Sequence, residues 1–175
     1  MKEFDFTLKF SLASQHIDPD EYVERLGEAG CDDAVIGVGQ KGRIALHFIR
    51  QSGRALDAVI SAIKDVKHAI PDARLIEATP DLVGLSDIAE FTGSTRQNIR
   101  KLMLTHSHSF PTPVHAGTSS LWHFSNVLTW LEEEQNKVID SSVKEIALVT
   151  MQVNIAKENV QSNQLYQSEL LVVGL

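Results

Sequence analysis

Residues Leu85-Ser86-Asp87-Ile88-Ala89-Glu90-Phe91-Thr92-Gly93-Ser94-Thr95-Arg96-Gln97-Asn98-Ile99-Arg100-Lys101-Leu102 divide at a single glycine into two amphipathic helices. Ser86 caps the first, whose inner face is Ile88, Ala89 and Phe91. Ala89 is small where two helices must cross closely. Gly93, four residues on, can take the left-handed backbone that a tight inter-helix turn needs. Thr95 then caps the second helix, and Ile99 and Leu102 hold it on a core. Arg96, Gln97, Arg100 and Lys101 are left on or near the outer face, with Asn98 beside them. Arg forks onto guanine, Gln or Asn onto adenine, and Lys holds phosphate. The helix N-terminus adds backbone donors and the positive end of its dipole. The spacing predicts a helix-turn-helix that places Arg96 to Lys101 in the major groove of a DNA duplex. Its bland counterpart is a helical hairpin with a solvated polar face.

The following residues extend the pattern. Ser109-Phe110-Pro111-Thr112-Pro113-Val114 leads into a polar, Gly-containing turn. Leu121-Trp122-His123-Phe124-Ser125-Asn126-Val127-Leu128-Thr129-Trp130-Leu131 comes after it. Over residues 81–133 the sequence resembles the winged helix-turn-helix of the excisionase and MerR-type superfamily. There a recognition helix is followed by Phe-Pro-x-Pro-Val, a two-stranded wing, a closing Trp and a short helix ending Trp-Leu. The resemblance implies a wing over Pro111 to Trp122, a helix capped by Ser125, and Trp122, Val127, Trp130 and Leu131 in the core. The wing tip, His115-Ala116-Gly117-Thr118-Ser119-Ser120, departs from the pattern in having no Arg or Lys. Thr118 and Ser119 are therefore its candidate DNA contacts, through hydroxyl hydrogen bonds.

Charge agrees with a selective reader. The 175-residue chain has a formal net charge of −7, with 43% hydrophobic and 22% charged residues. That balance is ordinary for a globular protein and speaks against indiscriminate nucleic-acid binding. Residues 81–131 carry three Lys or Arg against three Asp or Glu, and the three cations all lie within Arg96 to Lys101.

Upstream, Phe4, Phe6, Leu8, Phe10 and Leu12 alternate as one face of a strand. Asp18-Pro19 opens a helix that Gly30 ends. Ala34 to Val38 and Arg43 to Ile49 read as a hairpin. Ser52 caps a helix carrying Ala55, Val59, Ala62, Ile63 and Val66, and Arg74 to Ala78 is a last strand. The order predicts an α+β, ferredoxin-like βαββαβ sandwich over residues 1–78, serving as a sensor or partner-binding domain. Downstream, residues 132–164 read as continuous helix. Ile139, Val143, Ile146, Val153 and Val160 make a stripe that Thr150 and Lys157 interrupt. A winged module of about 50 residues is too small to bury this stripe. Residues 134–175 are thus expected to be a dimerisation helix and an apolar tail.

Other patterns read more weakly. Gly37-Val38-Gly39-Gln40-Lys41-Gly42 fits a dinucleotide fingerprint only where a strand feeds a helix, and here β-prone residues follow it. His106, His108, His115 and His123 have no accompanying Cys or carboxylate in the wing, so no metal or other cofactor is expected. Cys31 is the sole cysteine, which excludes an internal disulfide and reads as a small buried residue. No catalytic spacing stands out, and the chain is read as no enzyme. No run of about 18 apolar residues predicts a membrane span, and the N-terminus lacks a signal-peptide layout, so a cytoplasmic location is expected. The expected function is sequence-specific binding of double-stranded DNA by a homodimeric transcriptional regulator, a repressor. The alternatives are an antitoxin-like module that neutralises a partner protein through its N-terminal domain, which is also where a small effector could bind, and an excisionase-like architectural factor.

Overall fold

The alternation at the N-terminus becomes strand β1 (Lys2–Ser11), in which Phe4, Phe6, Leu8 and Phe10 are at most 1% exposed. A computed structural model describes residues 1–161 and Val172. The Asp18 carboxylate accepts the Asp20 N–H at 3.1 Å and starts a 3-10 turn that runs into α1 (Val23–Glu28). β2 (Ala34–Gly37) and β3 (Arg43–Ser52) form the hairpin that the glycine-rich stretch connects. Gly42 has φ +72° there, and a Cβ on it would lie 2.5 Å from the Gln15 Cα, so the turn needs glycine both for its backbone and for its packing. α2 (Ala55–Ala69) and β4 (Arg74–Thr79) follow. The sheet order is β2-β3-β1-β4, with every neighbouring pair antiparallel. This mixed α+β half buries one face of the sheet under its helices.

Arg50 ties the helices to the sheet. Its guanidinium donates to Asp33 at 2.7 and 2.8 Å, to Asp65 at 2.8 Å, to Ser61 at 2.9 Å and to the Gly30 carbonyl at 2.8 Å. The Asp33 carboxylate, despite opposing desolvation, holds the guanidinium above its ordinary pKa. Nearby Cys31 is 1% exposed. Burial, reinforced by Asp65, pushes its thiol up to about 11, which keeps it protonated and poorly nucleophilic at neutral pH.

Beyond β4 the chain forms β5 (Leu82–Val83), α3 (Leu85–Thr92), α4 (Arg96–Thr105), β6 (Trp122–His123) and α5 (Phe124–Glu133). β5 and β6 pair antiparallel. These elements enclose a second core around Trp122, Trp130, Val127 and Leu131, each at most 5% exposed, as the sequence predicts. The indole N–H groups do not go unsatisfied: Trp122 donates to the Pro111 carbonyl at 2.9 Å and Trp130 to the Ser109 hydroxyl at 3.2 Å. Phe110 sits edge-on to both rings, at 5.6 and 4.9 Å.

The C-terminal region departs most from expectation. Residues 132–164 are not one helix. α5 stops at Glu133, Asn136 takes φ 51°, and α6 (Ser141–Gln161) starts where the Asp140 carboxylate accepts the Ser142 N–H at 2.7 Å and its hydroxyl at 2.6 Å. Most of the stripe packs within the chain itself, whereas Val160 at its far end is exposed. Ile146 and Val149 join the first core and Val153 packs against it, while Ala147 joins the second core, with Ile139 and Val143 against it. The physical reason is that α6 covers the sheet of the first half as well as the second core. The homodimer expected through the C-terminal helix therefore loses most of the apolar stripe on which it rested, Ile139, Val143, Ile146 and Val153 being engaged within one chain. The apolar tail lies outside the described residues, apart from Val172.

The residues that interrupt the stripe fasten α6. Thr150 is fully buried and its hydroxyl donates to the Pro80 carbonyl. Asn154 accepts the Ala78 N–H and donates to the Ala78 carbonyl and to Asp81, each at 2.8 Å. Lys157 donates to the Ile76 carbonyl. At its N-terminal end, Glu145 accepts from the first amide of α2, that of Ala55, at 2.8 Å and from Lys2 at 2.9 Å. The Ala55 bond and then Lys2 hold its carboxyl below the usual value.

Candidate nucleic-acid interface

α3 and α4 pack through Ile88, Ala89 and Ile99, all buried. Between them Gly93 takes φ 63° and ψ 30°, the left-handed cap that the sequence predicts. Its N–H donates to the Glu90 carbonyl and that of Ser94 to the Ala89 carbonyl, at 3.2 and 2.8 Å. These bonds satisfy the last carbonyls of α3 and turn the chain sharply. Thr95 then caps α4, its hydroxyl oxygen accepting the Asn98 N–H at 3.1 Å.

Three details differ from the sequence reading. α3 is capped at Gly84 rather than by Ser86: the Asp87 carboxylate reaches back to the Gly84 N–H at 2.7 Å. Phe91 is 40% exposed and meets Phe124 edge-on at 5.0 Å, because its side chain covers the rim of the second core. α5 begins at Phe124, so Ser125 is not its cap; it lies buried in the first turn, with its hydroxyl on the Met151 sulfur at 3.2 Å.

Arg96, Gln97, Asn98, Arg100 and Lys101 are all exposed on α4. No side-chain hydrogen bond or ion pair occupies them among the described residues. Thr95 combines its capping role with an exposed position at the helix entrance. Leu104, which sequence reasoning left out, is 62% exposed. It lies four residues from Arg100 and three from Lys101, so it shares their face. Its lack of any place in the inner Ile99–Leu102 spacing was the available clue.

The segment from Pro111 to Trp122 folds back on itself. Val114 donates to the Leu121 carbonyl at 2.8 Å and Leu121 to the His115 carbonyl at 3.0 Å. The turn between them exposes Thr118 and Ser119. Arg96 and Arg100 line one cleft of about 460 Å³ together with Thr118 and Ser119. Four of the predicted contact residues, from two separate stretches of sequence, thus share a concave surface. Gln97 and Lys101 do not line that cleft; their positions along α4 put them beside Leu104, on the more outward side of the helix.

The remaining candidate patterns resolve into structure. The glycine-rich stretch at 37–42 is the β2–β3 connection. His123 holds Asp81 at 2.6 Å through Nδ1. Among the described residues no group of three or more His, Cys, Asp or Glu side chains is gathered as for a metal ion, and no helix is long and apolar enough to cross a membrane. No protein-family model, curated protein or solved structure matches this chain.

Proposed function

We propose that this chain is a sequence-specific double-stranded DNA-binding protein that regulates transcription, with α3, the Gly93 turn and α4 as a helix-turn-helix and residues 111–122 as its wing. The observation that carries the reading is the absence of internal partners for Arg96, Arg100 and Lys101, on a helix otherwise well anchored to its core. Other solvated cations of the chain also lack partners among the described residues; these stand out by their grouping on one helix, with Arg96 and Arg100 in a cleft shared with Thr118 and Ser119. In the complex α4 lies in the major groove. Arg100 and Gln97 address base edges, Lys101 and the Thr95 end of the helix address phosphates, and Leu104 offers an apolar contact to a thymine methyl. Thr118 and Ser119 donate to the backbone from the wing. The antiparallel order β2-β3-β1-β4 supports a ferredoxin-like reading of the first half, with a sensing or partner-binding role.

Selection of bound fragments from random duplex DNA supplies the site, and mobility-shift titration tests the residues. Arg96→Ala and Arg100→Ala are each expected to lose about 1–3 kcal/mol of affinity, with circular dichroism unchanged. Unaltered binding in both variants overturns the assignment.

A further inference from the structure

A second concavity, of about 500 Å³, lies where β4, the 111–122 hairpin and α6 meet. Small-molecule sites span roughly 300–1,000 Å³ and combine apolar walls with a few polar groups. Here the walls are Ile76, Leu82, Val114 and Ile155, exposed by 36%, 41%, 53% and 52%. Most polar groups around it are already matched. Glu77 pairs with Lys9 at 2.8 Å and Glu158 with Lys157 at 2.7 Å. Asp81, 2% exposed, accepts from Asn154 at 2.8 Å and faces His123 Nδ1 at 2.6 Å. With the buried carboxylate accepting, Nδ1 carries a hydrogen, and in the neutral form of the ring Nε2 is an acceptor. Nε2 has no partner among the described residues, and the ring lines the cleft.

We infer that this cleft binds an uncharged, apolar small molecule, about two fused rings in size, that carries one hydrogen-bond donor. Its body rests on Leu82, Val114 and Ile155, and its donor meets His123 Nε2. Glu77 and Glu158 are each paired with a lysine, and Asp81 is already held by Asn154 and His123, so no carboxylate is left free to hold a cation. An extended peptide finds little to pair with, although β4 is an outer strand. Lys157 occupies the Ile76 carbonyl and Asn154 occupies both backbone groups of Ala78, so strand addition lacks a free ladder. The inference stands independently of DNA binding.

The test uses the full chain and 2-naphthol, with 2-methoxynaphthalene as the same body without a donor. Both are titrated by calorimetry at mildly alkaline pH, which favours the neutral form of an imidazole. We expect saturable 1:1 binding of 2-naphthol, roughly three- to tenfold tighter than the ether. His123→Phe removes that preference. Ile155→Glu, at an exposed position that tolerates substitution, weakens both compounds by roughly tenfold through loss of the apolar wall. Ile49→Glu, at an exposed site elsewhere on the sheet, changes neither. Three results each overturn the inference: no saturable binding up to about 1 mM, a limit of some 4 kcal/mol; equal affinity for the two compounds; or binding indifferent to Ile155→Glu. So does sedimentation showing that the free chain pairs with itself and that Ile155→Glu abolishes the pairing, because the cleft is then an interface between copies.

Discussion

Helices α4 and α6 carry similar mixtures of apolar and polar residues and put them to opposite uses. In α6 the polar side chains Glu145, Thr150, Asn154 and Lys157 each bond to another part of the same chain. In α4 Arg96, Arg100 and Lys101 bond to nothing among the described residues. The contrast separates two ways in which a polar residue can interrupt an apolar pattern. One fastens the helix to backbone that its own sheet leaves unpaired. The other leaves charge outside the protein for something else to meet. Substitutions of these polar residues in α6 should therefore damage the fold, and substitutions of the three cations in α4 should damage only binding.

Removing α6 is the strongest way to break this comparison. Ending the chain at Glu134 withdraws Ile146 and Val149 from one core and Ala147 from the other. Burial of the Ile146 and Val149 side chains contributes about 1.5–3 kcal/mol each and that of the Ala147 methyl about 0.8 kcal/mol, so the total approaches the roughly 5–15 kcal/mol that holds a domain together. The truncated chain is expected to lose cooperative thermal unfolding and to show red-shifted tryptophan emission. A cooperative melt with tryptophans still buried would mean that α6 is an appendage.

A single substitution makes the same point with a smaller effect. Asn154→Ala leaves the Ala78 amide and carbonyl and one Asp81 oxygen without their partners. Unsatisfied buried groups typically cost about 1–3 kcal/mol each, and a loss near 3 kcal/mol is expected in urea denaturation. A change below about 0.5 kcal/mol, the range of ordinary surface substitutions, would show that the clamp carries no weight.

How much of this was legible depended on range. The α3–α4 turn rests on local chemistry: Gly93 for a left-handed residue and Thr95 for a cap, both within a few positions of what they serve. β1 showed itself through alternation, and the Trp122 and Trp130 burial through the closing pattern. α6 was misread because its partners are distant in sequence. Nothing near Thr150 says that its hydroxyl meets Pro80, or near Lys157 that it meets the Ile76 carbonyl, so the two polar interruptions read as flaws in a dimer seam. The break before α6 was visible in Asp140-Ser141-Ser142, an acidic cap followed by its hydrogen-bond donors, and was overlooked under the run of helix-forming residues on either side. The cleft uniting Arg96 and Arg100 with Thr118 and Ser119 could be guessed only through the resemblance, since no periodicity links the two stretches.

Acid gives a milder probe of the α6 side. The Glu145 carboxyl is held below its ordinary value of 4.5, by the Ala55 amide first and Lys2 second. Its contribution is therefore complete above that value and lost as pH falls through the lower folded-state pKa. Denaturation midpoints followed from neutral pH to about pH 3, below the ordinary Glu pKa of about 4.3, should fall more for the wild type than for Glu145→Gln. Parallel curves would remove the Glu145 link from the account. Smallest of all, Arg96→Ala, Arg100→Ala and Lys101→Ala should each leave stability within about 0.5 kcal/mol of the wild type. A larger loss in any of them would show that α4 uses that cation for its own fold.

The central claim is that the partner missing from α4 is a DNA duplex, and the salt dependence of affinity tests it most directly. On a duplex recovered by selection, log affinity against log salt should have a slope of about −1.8 per bound chain if Arg96 and Lys101 each neutralise one phosphate while Arg100 reads a base edge, at about 0.9 per contact on B-form DNA. Arg96→Ala and Lys101→Ala should each reduce the slope by up to about 0.9, whereas Arg100→Ala should lower affinity and relax specificity with less change in slope. If selection recovers no preferred duplex, or if the slope is the same with all three cations replaced, α4 does not read DNA and the proposed function is wrong.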